Sequence, residues 1–511
     1  MFRISTAEKL ILITLFASVL RTWNLDYNPI SLNQDEAVNG VDAFTLGINL
    51  ADHHGNFLPP MLQSFNDWAS PTLTYFTVPF VKIFGLNVFV VRFANVFFGA
   101  LCIPLIYSII NRLTSNKNVS LITAFITALT PFMISLSRWA IPPSIVPFCL
   151  LLLIWSVFRL LDTDYTNTKK VWLNNALVTF SATSLVYSYP TMKIFGPLAG
   201  LLLLGIYFRT HFKKLFPSIA VFFVLISPIF YLTLSQPTVY NARYDSVKVT
   251  AGGESMVGGF VSRYWEYLTP YFIVGRSDSN AMHHVPNFGP INEILGFLVY
   301  LGIVVCYTIY RSKKEEKENE DSRLYLFLLG LLLIAPVAPS LTIDHTILTR
   351  GIQVLILSLI FIGLGINFLN VSIQNLNLKK IILGFFSVVF LFSSFQFLYF
   401  YNADYTEQSK SNFQYGIREM YSYLKQNEDK FDRVGVADIN QPYIYYMFFN
   451  SIKPGEYKAK DMACEIGKYY FCGVDKNSTN GKTAINTIKD DKGRTWFYIY
   501  EKSPRQWVVF R

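Results

Sequence analysis

Charge is what this chain has least of. Only 15% of its 511 residues are Asp, Glu, Lys or Arg, where a soluble protein of this size carries about a quarter. With 52% hydrophobic residues, including 45 Phe and 31 Tyr, that deficit excludes an ordinary soluble protein. Cysteine is scarce as well, and five residues carry little redox information. Cys102, Cys149 and Cys306 fall in apolar runs and read as small buried hydrophobes. Cys464 and Cys472 lie in a soluble tail and would pair only if that tail faces an oxidising compartment. The first apolar run lacks a small-residue cleavage site, so it reads as an anchor. No internal repeat is present, and the tail holds no Gly-rich phosphate loop or metal-ligand cluster. The net charge is +10, yet no nucleic-acid partner is expected, because the cations sit in short loops between apolar segments.

What the chain does have is long apolar runs. Crossing about 30 Å of hydrocarbon takes roughly 20 mostly apolar residues. The runs 9–25, 87–110, 119–136, 143–161, 171–189, 194–208, 215–234, 291–310, 324–342, 347–369 and 379–400 fit that requirement. The expectation is an α-helical polytopic membrane protein with about eleven spans over 1–400, followed by a small soluble α/β domain over 401–511. Orientation follows from the short loops. Arg112 and Lys117; Arg159, Lys169 and Lys170; Arg209, Lys213 and Lys214; Arg311, Lys313, Lys314 and Lys317; and Lys379 and Lys380 alternate onto one side with Arg3 and Lys9. The N-terminus is therefore expected in the cytoplasm and the tail outside it. Abundant Asn, Lys, Ile and Phe point to an AT-rich bacterium, hence the plasma membrane.

Two outer segments, 26–86 and 235–290, are too long to be simple connectors, and long loops on a rigid scaffold more often carry function. In the first, "EAVNGVDAFTLGINL" and "PTLTYFTVPFVKIFG" read as amphipathic helices in the interface. In the tail, "FQYGIREMYSYLKQ" predicts a helix, "RVGVADI" and "TWFYIYE" predict strands, and "PYIYYMFF" fits either.

The sharpest polar feature is Asp35-Glu36 in "NPISLNQDEAVNGVDAF". It opens an amphipathic segment, where a helix N-terminus favours an anion. Adjacent carboxylates on a random loop are usually solvated decoration. Here lone cations end up on the same side: Arg138 in "SLSRWAIPP", Lys193 in "VYSYPTMKIFGP" and Arg350 in "IDHTILTRG". Singly, each reads as a residue snorkelling to the interface; together they can cradle a phosphate, Arg by its planar fork and Lys as a point charge. Arg21 and Arg92 lie deeper and read as partners of carboxylates or carbonyls. His283 and His284 in "NAMHHVPNFGP", with Asp344-His345 and Tyr189, complete the outer inventory. Their spacing is no metal-ligand pattern, so hydrogen bonding to a phosphate or sugar is the better reading, and no metal is assigned. A carboxylate base and a cationic cradle suffice for a single displacement. The base takes a proton from an acceptor hydroxyl, and the cations stabilise a departing phosphate.

Taken together, "NQDEAVNGVDAFTLGINLADHHGNFLPP", "DWASPTLTYFTVPFVKIFGLNVFVVRFANVFFGAL", "SLSRWA", "VYSYPTMKIFGPL", "MHHVPNFGPI" and "HTILTRG" resemble the polyprenyl-phosphate-sugar glycosyltransferases of the GT-C superfamily. The resemblance is to the bacterial relatives of protein O-mannosyltransferases and of the lipid A aminoarabinose transferase, and it covers nearly all of 1–400. It implies a hexosyl or mannosyl-type transferase that inverts the anomeric centre. Its donor would be dolichyl- or undecaprenyl-phosphate sugar, and its acceptor a hydroxyl or phosphate on a glycan, lipid or protein. Asp35 matches the catalytic first-loop aspartate and Glu36 its acidic neighbour in the acceptor region. Arg138 and Arg350 match positions facing the lipid phosphate, and Lys193 stands where relatives often carry Arg. Relatives also often place an acidic residue shortly after the first of those arginines. Here the text is "RWAIPPS", which favours a reaction needing no cofactor. A lipid or small-molecule transporter or flippase is the rival reading; against it stand the missing repeat and the clustering of charges at one face. A scaffold that has lost its chemistry is a second rival, opposed by the intact acidic pair.

Overall fold

The structure is a computed structural model describing residues 4–511 apart from 66, 165, 277, 279, 281 and 316–319. Arg3 and Lys317, and the side chains of Arg209 and Lys314, were used above to orient the chain and lie outside what is described. The chain divides into two compact units, one of residues 1–23, 96–137 and 142–402, the other of residues 24–95, 138–141 and 403–511.

The first unit is helical, and the chain is a multi-pass membrane protein. Among the described residues, seven helices are long and apolar enough to cross a bilayer, or eight if one bent pair counts as a span. That pair, Lys117–Leu129 and Pro131–Ser137, bends by 55°. Pro131 accounts for the bend: it pushes the residue before it out of the helical region, and Thr130 is extended at φ −65°, ψ 129°.

The expected eleven spans are therefore not all of membrane length. The first run forms a helix of only 17 residues, Thr6–Thr22. Thr168–Val186 carries Asn174 and Asn175 on its buried side. The runs 194–208 and 215–234, taken as two spans joined by a charged loop, form one continuous helix of 44 residues, Met192–Ser235. Between Ile206 and Phe216 no Gly or Pro interrupts the chain, so the cations there sit on helix rather than in a turn.

At the centre lies Ile352–Ser372, buried on every side from Ile352 to Ile366, as a helix that is apolar all round must be. It meets Gly296–Glu315 at glycines. A Cβ on Gly302 would lie 1.8 Å from the Phe361 carbonyl oxygen, and one on Gly365 would lie 2.5 Å from that of Leu298. Small residues let two backbones touch, which is how membrane helices gain contact without a hydrophobic driving force.

The second unit builds one core from segments far apart in sequence. Its first-loop part contributes the helices Gln34–Asn49 and Thr72–Phe84 and a hairpin of β1 (Leu62–Ser64) and β2 (Asp67–Ala69). Its last part is the expected α/β domain. A six-stranded sheet has β3 (Arg433–Val436), β4 (Glu465–Ile466), β5 (Tyr469–Tyr470), β6 (Asn486–Lys489), β7 (Thr495–Ser503) and β8 (Gln506–Phe510) in the order β4-β5-β3-β8-β7-β6. β3 runs parallel to both β5 and β8, and the other pairs are antiparallel. The helix Ile417–Gln426 covers the sheet with one apolar stripe of Ile417, Met420, Tyr421 and Leu424, at the spacing expected of an amphipathic helix. The segment "PYIYYMFF" resolves as the helix Pro442–Asn450. It packs on Gln34–Asn49 so closely that a Cβ on Gly40 would sit 2.5 Å from the Phe448 ring. Cys464 and Cys472 form a disulfide.

Candidate functional site

In the second unit, Asn33 caps the helix Gln34–Asn49, and Glu36 closes a reciprocal capping box by accepting from the Asn33 N–H at 3.1 Å. The two carboxylates of the acidic pair then part company. Asp35 is exposed on the first turn, its own N–H donating to the Asn33 side chain at 2.8 Å. Glu36 is fully buried. Its Oε1 accepts from Arg92 Nε at 2.8 Å and the Ala140 N–H at 3.2 Å. Its Oε2 accepts from Arg92 Nη2 at 2.9 Å in addition to the cap bond. Each oxygen thus carries two donors, so Glu36 has no lone pair left for a substrate hydroxyl.

Arg92, equally buried, also donates to the carbonyls of Leu25, Pro29 and Ser31. Arg138 is 1% exposed and donates from Nη2 to the Asn28 carbonyl at 2.7 Å, with Asn24 at 3.5 Å. Asn95 holds the Trp139 carbonyl at 3.1 Å. Two arginines and one glutamate therefore fasten the 24–33 loop from behind and leave Asp35 facing out.

Further along the same helix, Asp42 lies two turns beyond Asp35. It is fully buried and accepts from both the N–H and the Nδ1 of His53, at 2.9 and 2.6 Å. Asp52 closes the turn that follows by accepting from the N–H groups of His54 and Asn56, and Tyr457 donates to the His53 carbonyl at 2.8 Å. Burial opposes charge on His53, but Asp42 outweighs it and holds the imidazole above its ordinary range. His54 is pushed down to about 4 by burial and by its neighbour His53.

In the first unit, Tyr267 organises the remaining candidates. It is fully buried, accepts from the Ile347 N–H at 3.1 Å and donates to the His345 carbonyl at 3.2 Å. Burial pushes its phenol up, and the charges of Arg350, Asp278 and Tyr189 act on it. Gly351 follows Arg350 because a Cβ there would meet the Phe272 and Tyr267 rings at 2.5 and 2.6 Å. Arg350 pairs through Nη2 with Asp344 at 2.7 Å. Its buried Nη1 has no hydrogen-bond partner among the described residues.

Asp278 ties two loops together, accepting from the Leu348 N–H at 2.8 Å and His283 Nδ1 at 3.0 Å. Its burial works against ionisation, but these bonds prevail and keep its carboxyl below the usual range. His284 Nδ1 contacts the Asn280 carbonyl at 3.3 Å, and burial depresses this imidazole. His345 is exposed beside Glu266 at 2.8 Å. Tyr189 and Lys193 are half-buried. Lys193 lies on the first turn of Met192–Ser235, next to the buried Thr191, whose hydroxyl has no partner among the described residues.

Sequence reading did not find Asp278, Tyr267 or the Asp42–His53 pair. Only Asp42 left a usable signal: Asp35, Asn39 and Asp42 recur at the spacing of one helix face.

Residues 11–246 match the model of the dolichyl-phosphate-mannose-protein mannosyltransferase family. Among solved structures, ArnT from Cupriavidus metallidurans in the apo state aligns with a TM-score of 0.57 at 12% identity, over 95% of this chain and 96% of that one. The same enzyme bound to undecaprenyl phosphate gives 0.54 at 13% identity, over 89% and 87%. The oligosaccharyltransferase AglB from Archaeoglobus fulgidus, in complex with an inhibitory peptide and a dolichol-phosphate, gives 0.52 at 13% identity. That alignment takes in 86% of this chain but 63% of AglB, less than two thirds of its length. An uncharacterized protein of Aquifex aeolicus is 29% identical over 147 residues, which span 28% of this chain and 27% of that relative. At such identities the solved structures establish the fold. In fold along its length, and in sequence over residues 11–246, the chain resembles the polyprenyl-phosphate-sugar glycosyltransferases of the GT-C superfamily, on the side of ArnT and the protein mannosyltransferases.

Proposed function

We propose that this protein transfers a hexose of mannosyl type from a polyprenyl-phosphate carrier to an acceptor hydroxyl or phosphate at the outer face of the plasma membrane. The observation that carries this reading is the division of labour in the acidic pair. Asp35 stands exposed on a helix N-terminus while Glu36 and Arg92 fix the turn beneath it. A carboxylate so held suits a general base, since proton removal needs a group positioned within hydrogen-bond reach. Glu36 acts as its support rather than as an acceptor ligand. Arg138, turned onto the 24–28 carbonyls, positions the same loop.

The phosphate falls to Arg350, whose Nη1 has no hydrogen-bond partner among the described residues, and to Lys193, placed where a helix dipole also favours an anion. As the sugar–phosphate bond breaks, these cations meet growing negative charge. The acceptor oxygen, having lost its proton to Asp35, attacks from the opposite side and inverts the anomeric centre. The cation pattern of the loops and the Cys464–Cys472 disulfide support an extracytoplasmic tail, because disulfides persist in oxidising compartments.

The test uses purified protein, undecaprenyl-phosphate mannose and a panel of peptide, glycolipid and glycan acceptors. Transfer, or slow donor hydrolysis in place of an acceptor, should fall at least about 100-fold in Asp35→Asn, with donor binding retained. Lipid movement across vesicles without any sugar transfer would instead favour a flippase.

A further inference from the structure

The helix Met256–Glu266 lies in the long segment 235–290 and presents three different sides. Gly259 and Arg263 face inward and are buried. Val257, Val261 and Trp265 recur every four residues along an open flank, 75%, 47% and 62% exposed. Gly258, Ser262 and Glu266 recur in the same way about 100° further round the axis, on a flank without apolar side chains. There Ser262 donates to Glu266 at 3.2 Å. The inward side is fastened to the loop that carries Arg350. Arg263 donates from Nη1 and Nη2 to Glu254 at 2.9 and 2.8 Å, and from Nε and Nη2 to the Ile343 carbonyl at 3.1 and 2.7 Å. Glu266 holds His345, and Tyr267 takes the Ile347 N–H.

The position of the helix decides what covers its apolar flank. Tyr264 donates at 2.7 Å to the carbonyl of Leu333. Leu333 belongs to the membrane-length span Ser322–Leu341 and is itself 57% exposed, so its side chain meets lipid. The helix therefore abuts the lipid-facing surface of a span. Its Tyr264 and Trp265 rings, 5.5 Å apart, are of the residue types that settle at the membrane–water boundary. One apolar and one polar flank on an open helix match that boundary, with lipid on one side and water on the other.

We propose that Met256–Glu266 is an interfacial anchor: Val257, Val261 and Trp265 enter the hydrocarbon edge of the bilayer, Ser262 and Glu266 stay among the headgroups, and the depth so fixed is passed to the Arg350 loop. The last step rests on Arg350 binding the carrier phosphate. A polyprenyl-phosphate presents that phosphate at headgroup level, so a loop held at the same level receives it without drawing the lipid out of the membrane.

The test places a nitroxide on Val257→Cys, Val261→Cys or Ser262→Cys in the full chain, held in nanodiscs of phosphatidylethanolamine and phosphatidylglycerol. Native thiols do not compete, since Cys102, Cys149 and Cys306 are buried and the other two are paired. Spin relaxation by oxygen, which partitions into lipid, should dominate at 257 and 261, and relaxation by a water-soluble nickel chelate at 262. Equal nickel access at all three positions overturns the anchor. Protection of 257 and 261 from both agents overturns it too, and would mean that a second copy of the chain covers the flank. In the second arm, Val257→Ser with Val261→Ser should weaken affinity for undecaprenyl phosphate in the same nanodiscs about 3- to 10-fold, with the melting temperature unchanged because both side chains are exposed. Unaltered affinity beside a lipid-exposed label overturns the coupling to Arg350. An Arg350→Lys variant that binds as well as the parent would instead remove the phosphate assignment, a separate failure that the depth measurement does not share.

Discussion

Asp42 and His53 meet at 2.6 Å with neither side chain exposed, so one buried carboxylate holds both the ring and the main chain of a histidine one loop away. The folded protein keeps the His53 proton to a higher pH than the unfolded chain does, and the unfolded imidazole titrates near about 6.5. The resulting stabilisation is complete below that pH and is lost as pH rises through the folded value. His54 works the other way. Its folded value of about 4 makes stability grow as pH climbs from there to about 6.5. Melting temperature should therefore fall with rising pH above about 6.5 in the parent protein. In Asp42→Asn it should be lower throughout and flatter there, as a melting series in detergent would show.

Glu36 and Arg92 form a fully buried ion pair. Removing one member leaves the other charge buried without compensation, which costs about 3–5 kcal/mol. Glu36→Gln should destabilise by that amount in chemical unfolding, and Glu36→Gln with Arg92→Met by less than the sum of the two single changes. Activity should be lost in Glu36→Gln even in the fraction that stays folded, because the turn carrying Asp35 loses its anchor.

Arg350→Lys keeps a positive charge but removes the fork that leaves Nη1 available beside the Asp344 pair. A charge-assisted hydrogen bond contributes about 1.5–3 kcal/mol. Affinity for undecaprenyl phosphate, read by fluorescence quenching or calorimetry, should weaken about 10- to 100-fold. Unaltered affinity would count against Arg350 as a phosphate ligand.

Gly40 is where the first-loop helix and the helix Pro442–Asn450 touch. Gly40→Ala drives a methyl into Phe448 and within 3.0 Å of Val91, and overpacking of this kind costs about 1–3 kcal/mol. Phe448→Leu on the same chain should restore part of the loss, measurable as a rise in melting temperature over the single variant.

The readable parts of this protein were those governed by local pattern. Apolar length announced a multi-pass fold, and period-two runs announced β3 and β7. Asp35-Glu36 marks the opening of an amphipathic segment in the sequence, and the helix Gln34–Asn49 begins there. What escaped depends on partners distant in sequence. Glu36 meets Arg92 56 residues away, and Asp278 meets Leu348 70 residues away; neither spacing follows from propensity. The joining of the runs 194–208 and 215–234 into one helix escaped for a different reason. Arg209 to Lys214 looks like a loop by charge, but a helix is broken by missing N–H groups and backbone freedom rather than by cations. Composition marked where the apolar run ends near 400. Which polar segments then share a core is a tertiary question, answered by contacts such as Gly40–Phe448.

The sheet order places β8, Gln506–Phe510, between β3 and β7, near its middle. It is the last in sequence of the six strands described in that sheet. Without it, β3 and β7 have no ladder between them, and the helix Pro442–Asn450 has no finished platform from which to hold the helix Gln34–Asn49. A substitution that unseats β8 would therefore be felt outside the sheet, as a loosening of the first-loop helix that packs on Pro442–Asn450.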